Sequence, residues 1–244
     1  MILEKEYSIG IRDVEKSNLI SNKGFLGILE NIACCHSDIA GYGINDIPNT
    51  NFSWILLHWK VSIKKRVQYR SKITVKTWSR SLNKFSTLRD FEVYDENNNL
   101  ICIASSKWVL FDVKENRIAK ITDEIIKKYL PEEKSVFNEN DIMKLKEIAI
   151  DSIPNYSFKV QRRDIDINNH MHNLYYLDYA YEALPDEIYQ SSNFNDFEIM
   201  YKTSAKLGDK IDCYYSQNDN HHYITMKNNK TNKLISIIKF YWNL

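Results

Sequence analysis

Glycine and proline are scarce, at six and four among 244 residues. So few chain breakers argue against a linker-rich or disordered chain. Long apolar runs are also missing. No stretch approaches the roughly 18 continuous apolar residues of a transmembrane helix. The N-terminus, from Met1 to Tyr7, has no basic segment followed by an apolar one. The chain therefore reads as neither membrane-spanning nor secreted. Neither sign of charge prevails: 33 Lys+Arg against 32 Asp+Glu leave a net +1. The bulk electrostatic attraction of a nucleic-acid binder is absent, and an acidic partner must be met by a local patch.

Cysteine is nearly absent too. Cys34, Cys35, Cys102 and Cys213 form no Cys-x-x-Cys pair, and adjacent cysteines on a helix seldom bridge or share a metal. They read as buried free thiols in a reducing, cytoplasmic compartment. His221-His222, in a predicted hairpin turn, has no Asp, Glu or Cys at ligand spacing, so no metal is expected. The phosphate-binding Gly-x-x-x-x-Gly-Lys, the dinucleotide Gly-x-Gly-x-x-Gly and the serine-hydrolase Gly-x-Ser-x-Gly patterns are all missing.

What is present is ample core material, 43% hydrophobic with 13% aromatic, and an internal repeat. Tyr7–Ile11 reads as a strand, and Phe25, Leu29, Ile32, Ala33 and His36 mark a helix that stops at Gly41-Tyr42-Gly43. Alternating runs follow at Trp54–Val67, Lys72–Arg80, Thr87–Tyr94 and Ile101–Phe111, with a turn at Asp95–Asn99. The second half repeats the order. A strand at Tyr156–Val160 precedes a helix striped by Leu174, Leu177, Tyr181 and Leu184 and ended by Pro185. Four strands then follow at Phe194–Ser204, Lys210–Ser216, Tyr223–Lys227 and Leu234–Trp242.

Between the halves, Thr122–Tyr129 and Glu139–Ile150 read as short helices around Pro131. A helix that must bury a stripe, followed by an antiparallel meander, is most simply satisfied when the sheet wraps the helix. The expected fold class is α+β, two tandem hotdog domains, each an antiparallel sheet around a central helix. The expected boundaries are an N-terminal domain over 1–130, a linker over 131–150 and a C-terminal domain over 151–244.

Polar residues concentrate in Asp164-Ile-Asp166-Ile-Asn168-Asn-His170-Met-His172-Asn173. In extended backbone, alternate side chains share a face at roughly 6–7 Å spacing. Asp166, Asn168 and His170 would then converge on one pocket just before a helix. A carboxylate can deprotonate water or attack directly, an imidazole can exchange protons near neutral pH, and an amide can orient either. Free N–H groups at the helix start would suit a substrate oxygen gaining charge. Capping and turn formation would explain the same residue types.

This run resembles the acyl-acyl carrier protein thioesterase family, whose second hotdog carries Asp-x-Asp-x-Asn-x-His-x-Asn-Asn-x-x-Tyr. The likeness continues through Tyr179, Glu182 and Pro185. In the first half it takes in Trp54-x-Leu56-x-x-Trp59, Ile73-x-Val75-x-Thr77-Trp78, Arg89-Asp90-Phe91-Glu92-Val93 and Ala104-Ser105-Ser106-x-Trp108.

The resemblance implies hydrolysis of a fatty acyl thioester on acyl carrier protein, in fatty acid biosynthesis, without metal or redox cofactor. By the same resemblance Asp166 is base or nucleophile, Asn168 orients it or the water, and His170 completes the polar network. The first half would form the acyl pocket, and a monomer or homodimer is expected. Basic clusters at Lys64-Lys65-Arg66, Arg70/Lys72 and Arg162-Arg163 are compatible with docking an acidic carrier.

Two departures stand out. The family has Glu where Tyr201-Lys-Thr-Ser204 places Ser204, which cannot act as a carboxylate base but can hold a water. Another acid such as Glu198 could approach in its place. His172 stands where Asn is usual. Hydrolysis of acyl-coenzyme A, and non-catalytic binding of acyl thioesters, are the alternatives.

Overall fold

The computed structural model describes residues 1–81, 84–138, 145–148, 150, 153–191 and 194–242. It divides into two compact units, Met1–Ile142 and Met143–Leu244. Unit 1 contains β1 (Leu3–Ser8), α1 (Asn22–Ala40), α2 (Ile47–Thr50), β2 (Phe52–Ile63), β3 (Lys72–Ser81), β4 (Ser86–Asp95), β5 (Leu100–Asp112), β6 (Arg117–Ile118) and α3 (Asp123–Tyr129). Its antiparallel strands lie in the order β1-β3-β4-β5-β2, with β6 added at the end of β5.

Sequence chemistry accounts for the ends of α1. Ser21 has extended backbone and its Oγ accepts the Gly24 N–H at 2.9 Å. At the other end Gly41 adopts φ +75, and its N–H donates to carbonyls of the last turn, a conformation a side chain would strain. Between them Phe25, Leu29 and Ile32 are fully buried, and the helix packs on β1 and β3. Burying each such side chain contributes about 1.5–3 kcal/mol. Gly24 is required by close approach, since a Cβ there would lie 2.3 Å from the Asp13 carbonyl oxygen. Trp59, Trp78 and Phe91 are among the chain's largest fully buried side chains.

Unit 2 contains β7 (Tyr156–Lys159), α4 (Asn173–Glu182), α5 (Asp186–Ser191), β8 (Asp196–Tyr201), β9 (Lys210–Asn218), β10 (His221–Asn228) and β11 (Leu234–Phe240). The antiparallel order is β7-β9-β10-β11-β8. Both units therefore arrange their five main strands as first, third, fourth, fifth, second. Helix α4 is shorter than α1 and buries Tyr176, Leu177 and Ala180, packing on β11.

Several local expectations are corrected. The first strand is Leu3–Ser8, not Tyr7–Ile11. Asp13 accepts the Gly10 N–H at 2.7 Å and forms a turn that ends pairing early. Of the expected helix Glu139–Ile150, residues 139–144 and 149 lie outside the described residues, and 145–148 and 150 are not helical. His221 and His222 open β10 instead of sitting in the turn, and His222 is buried. Of the four free thiols only Cys102 and Cys213 are buried.

Turns use asparagine where glycine is scarce. Among the described residues eleven non-glycine residues have positive φ, and seven are Asn: Asn18, Asn51, Asn98, Asn116, Asn169, Asn220 and Asn232.

Candidate active site

The Asp166 segment sits between β7 and α4, and its own hydrogen bonds shape it. Arg162–Asp164 forms a 3-10 turn. Buried Asp164 anchors it: Oδ2 accepts the Gln161 N–H at 2.8 Å and the Tyr179 hydroxyl at 2.9 Å. Tyr179 stacks on Phe158 at 3.6 Å, so α4 and β7 both hold the loop. Burial first, and the bond to Asp164 second, push the Tyr179 phenol up to about 12.

Ile165 is extended, but beyond it the chain does not continue as a strand. Ile165 and Met171 pair as an isolated bridge, and the residues between them form a tight turn. The Asp166 N–H donates to the His170 carbonyl at 2.8 Å, the Asn169 N–H donates to the Asp166 carbonyl, and Asn169 takes φ +59. The expected alternation along a strand is therefore replaced by a turn. The reason lies in Asp166 itself: its Oδ1 accepts the N–H of Asn168 at 2.8 Å and of His170 at 3.1 Å, favouring a turn over a ladder.

This turn joins the Asp166 side chain to the backbone of Asn168 and His170. Among the described residues the three side chains make no hydrogen bond to one another. Asp166 and His170 are half-buried and Asn168 is exposed. Asp166 Oδ2 takes no hydrogen bond among the described residues.

His172 caps α4 through Nδ1, which accepts the Leu174 N–H at 3.3 Å. An imidazole nitrogen thus does the work an Asn side-chain oxygen would do. The next N–H, that of Asn173, has no partner among the described residues, the open donor expected of a helix start.

Ser204 follows the end of β8 and is exposed. Its neighbour Ala205 ties this strand end to the motif: the Ala205 carbonyl accepts the Met171 N–H at 2.9 Å, and its N–H donates to the Tyr176 hydroxyl at 3.3 Å. Glu198 is buried on β8, and its carboxylate accepts a hydrogen bond from the Tyr241 hydroxyl. Spacing alone does not mark Tyr176 as a functional residue, although it stands at the final Tyr of the longer resembled pattern.

Some members of the basic clusters are engaged locally. Lys65 pairs with Asp95 at 2.8 Å, Arg66 donates to the Ile20 carbonyl and to Asn22, and Lys72 pairs with Glu6 at 3.0 Å. Among the described residues no group of three or more His, Cys, Asp or Glu is disposed to hold a metal ion. No helix among them is long and apolar enough to cross a membrane.

Comparison with known proteins gives two family matches: the acyl-ACP thioesterase N-terminal domain over residues 2–129 and the acyl-ACP thioesterase C-terminal domain over residues 147–243. The chain is similar to the chloroplastic oleoyl-acyl carrier protein thioesterase 2 of Arabidopsis thaliana, 26% identical over 85% of this chain and 59% of the relative. It is also similar to the chloroplastic palmitoyl-acyl carrier protein thioesterase of Cuphea hookeriana, 23% identical over 83% of this chain and 51% of the relative. It thus spans little more than half the length of these relatives. Among solved structures, an acyl-ACP thioesterase from Bacteroides thetaiotaomicron has the same fold, with TM-score 0.86 and 22% identity over 99% of this chain and 98% of that one. The 12:0-ACP thioesterase from Umbellularia californica gives TM-score 0.86 and 17% identity over 99% and 97%.

Proposed function

The chain belongs to the acyl-ACP thioesterase family, and from that premise we propose that it hydrolyses the thioester of a fatty acyl-acyl carrier protein to free fatty acid and carrier thiol. The observation that carries this reading is the Asp166 turn, in the loop that leads into α4, where backbone N–H groups hold one carboxylate oxygen and leave the other open. A carboxylate so fixed loses little freedom on engaging a water. We assign Asp166 as general base, His170 as proton-exchanging neighbour and Asn168 as the amide that orients the water or the substrate.

In this reading Asp166 removes a proton as the water oxygen attacks the carbonyl carbon. The Asn173 N–H offers a hydrogen bond to the oxygen that gains charge. A base of this kind contributes about 10²–10⁴ in rate. Ser204 supplies a hydroxyl where the resemblance gives Glu, and in this reading the proton transfer falls to Asp166.

The shared strand order supports two tandem hotdogs, with the acyl chain in the first and the chemistry in the second. The four free cysteines fit a reducing cytoplasm.

The deciding assay is thiol release from acyl-carrier and acyl-coenzyme A substrates across chain lengths, with Asp166→Ala beside wild type. Faster release from the carrier substrate, lost in the variant, is expected. Binding without release would instead favour a non-catalytic acyl-thioester binder, the reading to which Ser204 lends weight.

A further inference from the structure

Tyr176 lies on α4 with 2% of its surface exposed. Its hydroxyl oxygen accepts the Ala205 N–H at 3.3 Å, while the Ala205 carbonyl accepts the Met171 N–H at 2.9 Å. The phenol is thereby fixed where the motif loop meets the residue after Ser204. Its ring stands edge-on to Tyr201 at 5.3 Å, and the Tyr201 hydroxyl donates to the Asn173 carbonyl at 3.1 Å.

A phenol has one proton and two lone pairs. Ala205 occupies a lone pair, and among the described residues the proton has no acceptor. Buried donors are seldom left so, which calls for an acceptor that arrives with water or substrate. Met171, whose N–H meets the Ala205 carbonyl, pairs with Ile165 as a bridge, so the phenol is held at the base of the turn that carries Asp166. Burial first, opposed by the Ala205 N–H and reinforced by Asp166 and Asp209, pushes Tyr176 up to about 12. The group therefore stays protonated at neutral pH and can serve as a donor but not as a base.

We propose that Tyr176 is a further catalytic residue: its hydroxyl donates to the hydrolytic water, which donates in turn to the open Oδ2 of Asp166. The proposal rests on the reading of Asp166 as base. As the water attacks, its O–H bond breaks and the proton passes to Asp166 Oδ2, while the oxygen bonds to the thioester carbonyl carbon. The C–S bond then breaks, and the sulfur leaves with the proton returned by Asp166. The Tyr176 proton stays on its own oxygen throughout. A donor at this point aligns the water where the family's Glu is replaced by Ser204.

The test compares wild type, Tyr176→Phe, Asp166→Asn and enzyme carrying 3,5-difluorotyrosine at 176, by steady-state thiol release and thermal melting. Phe keeps the packing against Tyr201 and removes only the hydroxyl. The expected result is a roughly ten- to hundredfold fall in kcat for Tyr176→Phe, with KM little changed.

Because fluorination lets the phenol ionise at lower pH, the fluorinated enzyme should lose kcat in an alkaline range where wild type is flat. A merely structural hydroxyl would not move that limb. The proposal is overturned if Tyr176→Phe keeps kcat within about twofold, or if the fluorinated enzyme has the wild-type pH profile even where Tyr176→Phe fails to fold. Asp166→Asn separates the two readings. Loss of activity there with a fully active Tyr176→Phe rejects the tyrosine alone, and full activity in Asp166→Asn rejects the base itself.

Discussion

Arg89 on β4 donates from Nη1 to Nδ1 of His36 on α1 at 2.6 Å, and both residues are buried. A guanidinium can only donate, so Nδ1 must accept and the imidazole must be neutral, with its hydrogen on Nε2. Among the described residues that buried Nε2 has no hydrogen-bond partner. Burial first, and the Arg89 charge second, lower the His36 pKa to about 3.

The sign of the resulting pH dependence is fixed by which state binds the proton. An unfolded His36 protonates near its ordinary value of 6.5, whereas the folded one resists until about 3. Its contribution is therefore complete above the unfolded value and falls as pH drops from about 6.5 toward 3, by up to a few kcal/mol. Urea midpoints measured across this window should decline more steeply for wild type than for His36→Asn. Equal slopes would refute a neutral buried imidazole.

Asp166 holds the turn with one oxygen and offers the other to solvent, so its two carboxamide and methyl variants should differ. Asp166→Asn keeps an acceptor for the Asn168 and His170 N–H groups. It should lose about 10²–10⁴ in kcat with little change in melting temperature. Asp166→Ala should lose the activity and about 1–2 kcal/mol of stability as well. Thiol-release kinetics and denaturant titration on the pair separate the two effects.

Capping of α4 by His172 gives a third expectation. His172→Ala should destabilise unit 2 by about 0.5–2 kcal/mol, while His172→Asn, which retains a side-chain acceptor, should recover most of it. Hydrogen exchange at Leu174 is the local readout, and unchanged protection in His172→Ala would contradict the cap.

Arg80 and Asp90 form a buried pair at 3.3 Å that also binds the chain after α3: Arg80 donates to Ser135 Oγ at 2.7 Å, and the Val136 N–H donates to Asp90 at 3.1 Å. Burial raises the Asp90 pKa, and hydrogen bonds and Arg80 oppose the rise. Arg80→Met alone should cost about 3–5 kcal/mol by leaving a buried carboxylate unpaired, and the double change with Asp90→Asn should cost less than the sum. A double-mutant cycle by urea denaturation measures the coupling.

The readability of these features from sequence follows their range. Ser21 and Gly41 mark the ends of α1 because capping is local chemistry, and the long half-buried strands announce themselves by alternation. β1 does not, since much of its face is exposed and its register is supported by the Glu4–Lys76 and Glu6–Lys72 pairs.

The segment carrying Asp166, Asn168 and His170 was visible, but alternation cannot tell an extended strand from a hairpin tip. The side-chain bonds of Asp166 and the positive φ of Asn169 decide for the tip. The His36–Arg89 and Tyr176–Ala205 contacts join residues far apart in sequence, and no local pattern announces them.

The asparagine turns bear on the gene as well as on the protein. Asparagine is encoded by AAT and AAC, whereas every glycine codon begins with GG. At left-handed positions such as Asn98, Asn169 and Asn232, asparagine is the side chain that best tolerates the backbone after glycine. A coding sequence drifting toward adenine and thymine can thus shed glycine from its loops while the strands they connect keep their register.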